Sequence, residues 1–196
     1  MKQAVFVILD EYADWESAYL SSMLNQSDEW QVQTASIKNM VSSIGGFHTS
    51  VDLTLNQISS DIDLLVLIGG NSWNIEDTKL KNLVDQRLDN NQPVGAICGA
   101  VDYLAKNGLL NKHKHTGNAL YLWNEFDNYT NGQNFIEKQV VRDQKLVTAN
   151  GTAALEFTTE VLKMVQFNDD NSIEKQVALQ ELGFYKYSEK YGNPFA

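Results

Sequence analysis

Cysteine, histidine, basic charge and long apolar runs are all scarce in this chain of 196 residues, and each scarcity removes a class of explanation. A single cysteine, Cys98, leaves no internal disulfide possible. A domain of this length buries roughly two thirds of its extended surface on folding, so stability requires neither a disulfide nor a metal. The three histidines, His48, His113 and His115, come with no second cysteine and no H-x-x-x-H spacing, so no metal centre is expected and no cofactor is implied. Lys and Arg number 15 against 25 Asp and Glu, a formal net charge of −10 that repels phosphate backbones and anionic lipid. Nucleic acid is therefore not expected as a partner. The longest apolar runs, such as LLVLI at 64–68, fall far short of the roughly 20 residues that span a bilayer. The early VFVIL is too short, and too quickly followed by acids, to serve as a signal peptide. The expectation is a cytoplasmic protein without membrane contact.

What is present is a rhythm of buried strands and amphipathic helices. QAVFVIL at 3–9 is a near-continuous run of β-branched and aromatic residues, the pattern of a strand covered on both faces. A helix is expected over 15–25, with Asp14 as its N-cap and Trp15, Ala18, Tyr19 and Met23 on the buried face. WQVQTASI at 30–37 alternates like a second strand, and Gly45-Gly46 suits a hairpin turn. IDLLVLIGG at 62–70 is a buried strand ending in two glycines, followed by a helix striped by Leu80, Leu83, Val84 and Leu88. QPVGAI at 92–97 is another buried strand, and Val101, Leu104 and Ala105 mark a helix that stops near Gly108.

After a less regular stretch beginning NKHKHTGNALYLW, IEKQVV and KLVTAN form a hairpin turning at Arg142-Asp143-Gln144. TAALEFTTEVLKMVQF is amphipathic, with Leu155, Thr158, Thr159, Leu162 and Val165 or Gln166 at helical spacing, and 173–191 can form a last helix. No repeat, low-complexity segment or linker divides the chain. Residues 1–196 read as one domain, with 171–196 a C-terminal helical extension. Alternating strands and helices predict a three-layer α/β sandwich with a mainly parallel sheet, whose ligands sit at the carboxyl ends of the strands.

Three of those ends carry chemistry: LDEYADWE, IGGNSW and ICGAV. Cys98 lies where a strand meets a helix, facing unsatisfied amides and the positive end of the helix dipole, which favours thiolate. The plain alternative is a buried, inert thiol, and the flanking Gly95 and Gly99, which permit a tight elbow, weigh against it. Gly69-Gly70 leaves amides uncovered for a substrate oxygen, although an ordinary turn has the same composition. Glu16, in the first turn of the first helix, is placed to hydrogen-bond the Cys98 sulfur, with Asp14 and Glu11 as rivals. His48 reads as a surface residue. With lysines interleaved, His113 and His115 read as solvent-exposed, while the Thr-Gly-Asn after His115 places that residue at the border of a site. Trp73 and Trp123 either line the pocket or belong to the core.

Together these pieces resemble the PfpI/DJ-one family of the class I glutamine amidotransferase-like superfamily. The resemblance rests on VFVILDEYADWES, LLVLIGGNSW, PVGAICGAVDYLAKNGLL and VVRDQKLVTANGTAALEFTTEVL, in family order across most of 3–165. It implies a flavodoxin-like sandwich with a cysteine nucleophile elbow, and a homodimer or larger assembly. It also implies Cys98 as reactive cysteine, Glu16 as the carboxyl bonded to it, and the amides of Gly70 and Gly99, beside Gly69, as oxyanion donors. Two departures limit what transfers. PfpI-type peptidases follow the cysteine with histidine, where this chain has Gly99, and a histidine found after NGG elsewhere is replaced by Gln133. No H-x-E pair occurs, which disfavours glutaminase activity, and the missing histidine base disfavours peptidase activity. The expected function is a reactive-cysteine enzyme acting on a small carbonyl or amide, with Glu16 or His115 moving protons. The competing expectations are a redox sensor that oxidises Cys98, and a fold with an idle site.

Overall fold

The computed structural model describes residues 1–196. A seven-stranded sheet runs through the molecule in the order β5-β2-β1-β6-β7-β9-β8. Its strands are β1 (Lys2–Val7), β2 (Trp30–Ser36), β5 (Leu53–Thr54), β6 (Leu64–Leu67), β7 (Val94–Ile97), β8 (Val140–Asp143) and β9 (Leu146–Ala149). All neighbours are parallel except β8, which returns antiparallel beside β9. A separate hairpin joins β3 (Met40–Ser42) to β4 (His48–Ser50) around Gly45-Gly46, and His48 is exposed, both as expected. Counted in chain order, the five long parallel strands follow 2-1-3-4-5, the flavodoxin-like winding.

Strand alternation assigns the core to two sides. Ala4, Phe6, Ile8, Leu64, Val66 and Ile68 face one cluster, while Val5, Val7, Leu9, Leu65 and Leu67 face the other. Helices α1 (Asp14–Asn25) and α4 (Ala154–Met164) cover the first face, and α2 (Thr78–Asp89) and α3 (Gly99–Lys106) the second. Each large apolar side chain sealed this way contributes about 1.5–3 kcal/mol. Helix α5 (Asp170–Tyr191) lays Ile173 and Val177 on the first cluster, then breaks at Gly183, whose φ of 74° is left-handed. Beyond the break Tyr185 and Phe195 are exposed. No helix is long and apolar enough to cross a membrane.

Local expectations shifted where tertiary packing rotated a helix. In α1 the buried face is Glu16, Leu20, Met23 and Leu24, whereas Trp15 and Ala18 are exposed. The N-cap position belongs to Ala13, and Asp14 instead accepts the Gly45 amide with Oδ2 at 2.8 Å. In α4 the buried residues are Ala154, Phe157, Thr158, Val161, Leu162 and Met164, so Leu155 and Thr159 sit at the margin of the expected stripe. The β8–β9 turn is Gln144-Lys145, with Gln144 at φ 54°, because β8 extends through Asp143 to pair with Leu146. In α2, Arg87 joins Leu80 and Val84 in the interior, 1% exposed, and donates to the carbonyls of Ile62 at 2.9 Å and Pro93 at 3.0 Å. Burial lowers its pKa to about 10, still charged at neutral pH. It ties together the incoming ends of β6 and β7, the strands that carry the double glycine and the cysteine.

Candidate active site

The winding decides where the functional side chains meet. The chain lays β2 on one side of β1 and then crosses to lay β6 on the other, so a crevice opens above the β1–β6 pair. β7 and β9 are the next two strands. The carboxyl ends of four adjacent strands therefore deliver α1 with Glu16, the pair Gly69-Gly70, Cys98 and Gly151 to one place.

Cys98 stands in the N-cap position of α3 at φ 58°, ψ −128°, a conformation costly for any residue with a Cβ. Its amide is held by the Ala149 carbonyl at 3.0 Å, and its own carbonyl accepts from Val101 at 2.9 Å. The elbow is possible because glycines surround it. A Cβ on Gly69 would fall 2.5 Å from the Cys98 Cβ and 2.6 Å from Glu16 Oε2. A Cβ on Gly99 would fall 2.5 Å from the Gly70 carbonyl oxygen, and one on Gly70, at φ 139°, 2.2 Å from that of Glu11. The clashes at Gly99 and Gly70 are with backbone, which cannot swing aside.

Glu16 is fully buried beside the sulfur, ahead of its rivals: Asp14 is engaged with Gly45 and Glu11 is exposed. Its Oε2 accepts the Gly69 amide at 2.8 Å. That contact revises one expectation, because the Gly69 amide is committed to the carboxyl and cannot serve an oxyanion. The amides of Gly70 and Gly99 donate to no carbonyl or side-chain oxygen within the protein. Glu16 Oε1 has no full partner, which leaves the Cys98 sulfur as the group available to it. Burial lifts the Glu16 pKa to about 7, against the pull of its bonds to Cys98 and Gly69.

The thiol also moves, and opposite to the sequence expectation. Burial first, and the Glu16 charge second, push Cys98 above its ordinary value, while donors at Asn118 and Gly99 pull it down. The helix N-terminus was expected to dominate, but a half-buried sulfur loses more solvation than two amides return. Both shifts favour the protonated forms, and protonation of Glu16 removes only the second of the two causes that hold the thiol up.

His115 does not join them. It is completely buried in a box of Trp123, Tyr129 and Phe135, with ring centroids 5.6–5.9 Å away. Its Nδ1 meets the His113 carbonyl at 2.8 Å and its Nε2 the Tyr129 hydroxyl at 2.7 Å, so both nitrogens are engaged away from the sulfur. Burial lowers its pKa, keeping it neutral. The expected exposure of His115 is thus reversed, and its neighbour His113 is also largely covered and shifted down. Trp123 is core, its indole donating to Asp102 at 2.7 Å. Trp73, also buried, borders a cavity of about 330 Å³ that reaches Gly70 and Gly99. Gln133 is exposed on the surface.

Three site residues escaped the sequence. Asn118 Nδ2 donates to Cys98 Sγ at 3.4 Å and its Oδ1 accepts the Gly151 amide at 2.9 Å. The Trp15 indole donates to the Gly151 carbonyl at 3.0 Å. A Cβ on Gly151 would fall 2.9 Å from Sγ and 3.2 Å from Glu16 Oε1, so this glycine lets the chain pass directly over the pair. Gly151 was findable, since it follows a buried strand as Gly69 does. Asn118 belongs to the Thr-Gly-Asn segment read as a site border, but nothing local picks it out as the residue that reaches a cysteine 20 residues away. On its far side opens a cavity of about 830 Å³, lined by Asn118, Tyr121, Gln139 and Asn150 among others.

Relatives match most or all of this chain. A Bacillus subtilis (strain 168) protein named uncharacterized protease YdeA is 53% identical over 195 residues, covering 100% of this chain and 99% of its own. Uncharacterized protease YoaZ of the same organism is 36% identical over 83% of this chain and 82% of its own. Among solved structures, the DJ-1 superfamily protein Atu0886 from Agrobacterium tumefaciens superposes with a TM-score of 0.83 at 30% identity, over 93% of this chain and 100% of that one. A thiJ/pfpI family protein from Bacillus anthracis gives 0.82 at 28% identity, with 98% of both chains covered. With residues 2–164 matching the family model as well, the chain belongs to the DJ-1/PfpI family.

Proposed function

We propose that this protein is a cysteine-dependent enzyme acting on a small carbonyl or amide substrate, with Cys98 as nucleophile and Glu16 as the group that takes and returns its proton. The observation that carries the reading is the strained elbow. A left-handed, non-helical backbone at a non-glycine residue costs about 1–3 kcal/mol, and here it brings a sulfur to a buried carboxyl of near-neutral pKa. In the first step the Cys98 proton passes to Glu16 as Sγ bonds to the carbonyl carbon. The carbonyl π pair moves onto oxygen, which the Gly70 and Gly99 amides are placed to receive. Return of the proton from Glu16 to that oxygen gives a neutral hemithioacetal with an aldehyde.

The names of the two Bacillus subtilis relatives suggest proteolysis as a second reading. Against it stands the sequestration of His115, which leaves no histidine base at the sulfur. A small-molecule substrate and a homodimer belong to the proposal as the resemblance implies them. The test is consumption of methylglyoxal, a small amide and a peptide by the native protein and by Cys98→Ser. Loss of methylglyoxal or amide turnover in the variant supports the reading, peptide cleavage alone replaces it with the second, and identical behaviour of both proteins removes it.

A further inference from the structure

Only one side chain other than Glu16 reaches the sulfur, and it cannot titrate. Asn118 touches Sγ with its amide nitrogen and is itself held by the Gly151 amide on its oxygen, which fixes which end of the amide faces the sulfur. Gly151 is in turn pinned through its carbonyl by the Trp15 indole. The chain from Trp15 through Gly151 to Asn118 thus joins α1, the turn after β9 and the irregular segment after α3 over one atom. We propose that Asn118 is a catalytic residue: its amide donates to the Cys98 thiolate and takes the place of a histidine partner, leaving Glu16 as the sole titrating group at the sulfur.

The remaining charged and titratable groups nearby are turned elsewhere. Asp14 accepts from Gly45, Asp102 from Trp123, and His115 is bonded to His113 and Tyr129. A hydrogen bond from a neutral amide favours thiolate over thiol without adding an ionisation of its own, and Asn118 pulls the thiol down accordingly. A histidine in the same place would give the reaction an acidic limb near its own pKa. An amide gives none, so the pH profile of the reaction follows Glu16 and Cys98 alone. The arrangement also accounts for Asn118 being held at both ends although its residue is solvent-exposed.

The assignment rests on Cys98 being the reacting group, and the experiment separates the two. Native and unfolded protein are alkylated with iodoacetamide across pH for the parent, Asn118→Ala, Asn118→Asp and Asn118→His. Hydrogen bonds to charged groups are strong enough that Asn118→Ala is expected to react about tenfold more slowly at neutral pH, and Asn118→Asp more slowly still. Asn118→His should regain reactivity only where the imidazole is protonated, adding a limb absent from the parent profile. In the parent, the Asn118 side-chain amide proton followed by NMR should shift with thiolate formation and lose that shift in Cys98→Ser. The parent half of this measurement stands even if a variant fails to fold. A parent thiol that iodoacetamide fails to alkylate at any pH overturns the cysteine reading itself. A reactive parent whose profile is unchanged in all three variants, or an amide proton indifferent to Cys98, overturns the role of Asn118 alone.

Discussion

The buried pair Glu16–Cys98 and the buried His115 form two contrasting centres, and only the first is open to reaction. Around Cys98 and Glu16 the neighbours are glycines and amides, the cysteine is half-exposed, and Glu16 Oε1 has no full partner. Around His115 the neighbours are aromatic rings, and both ring nitrogens are bonded. Burial moves both groups toward their neutral forms, Glu16 up and His115 down. The difference is what each neutral group can still do. Glu16, with a pKa raised to about 7, can still take and return a proton beside a nucleophile, whereas neutral His115 has spent its donor and acceptor on structure.

The sharpest way to break this contrast is to remove the nucleophile. Cys98→Ser should lower turnover by at least about 100-fold, measured with methylglyoxal, while His115→Gln leaves alkylation of Cys98 near the parent rate. In the same histidine variant, thermal or urea unfolding should show a loss of about 1–3 kcal/mol from the unpaired Tyr129 hydroxyl and disturbed ring packing.

The two centres should also give stability opposite slopes with pH. The folded Glu16 pKa lies above its unfolded value, so the native state holds the extra proton and stability falls as pH rises from about 4.5 to about 7. The size is on the order of 3 kcal/mol. Urea titrations of the parent and Glu16→Gln across that window should show the slope in the first and its loss in the second. His115 has a folded pKa below its ordinary 6.5, so its contribution is full above that pH and is lost as pH falls through and below it.

Smaller in effect is Gly151→Ala, whose added Cβ at 2.9 Å from Sγ must push the sulfur or the turn aside. Overpacking of this kind costs about 1–3 kcal/mol, and iodoacetamide reactivity should fall together with stability. Smallest is Cys98→Gly, which relieves the left-handed strain at the elbow. It should raise the unfolding free energy by about 1 kcal/mol while abolishing activity.

Much of this could be read before any coordinates. The buried runs at 3–9 and 62–68 became β1 and β6, and Cys98, Glu16, Gly70 and Gly99 do meet. Less legible was which helix face turns inward. Trp15 fits an apolar stripe by composition, yet Glu16 takes the inward position because Gly69 offers its carboxyl an amide. The lysines flanking His115 suggested a wet surface. Only the folding back of Tyr129 and Phe135, 14 and 20 residues further on, sealed it.

By itself the sequence determined the alternation of buried strands and amphipathic helices, the soft glycine turns at the strand ends and the presence of one thiol among them, because hydrophobic period and backbone freedom are local properties. Only the tertiary structure decided the upward pKa shifts of Glu16 and Cys98, the exclusion of His115 and the arrival of Asn118 at the sulfur. Those outcomes depend on desolvation and on contacts between residues distant in the chain, which no local pattern encodes.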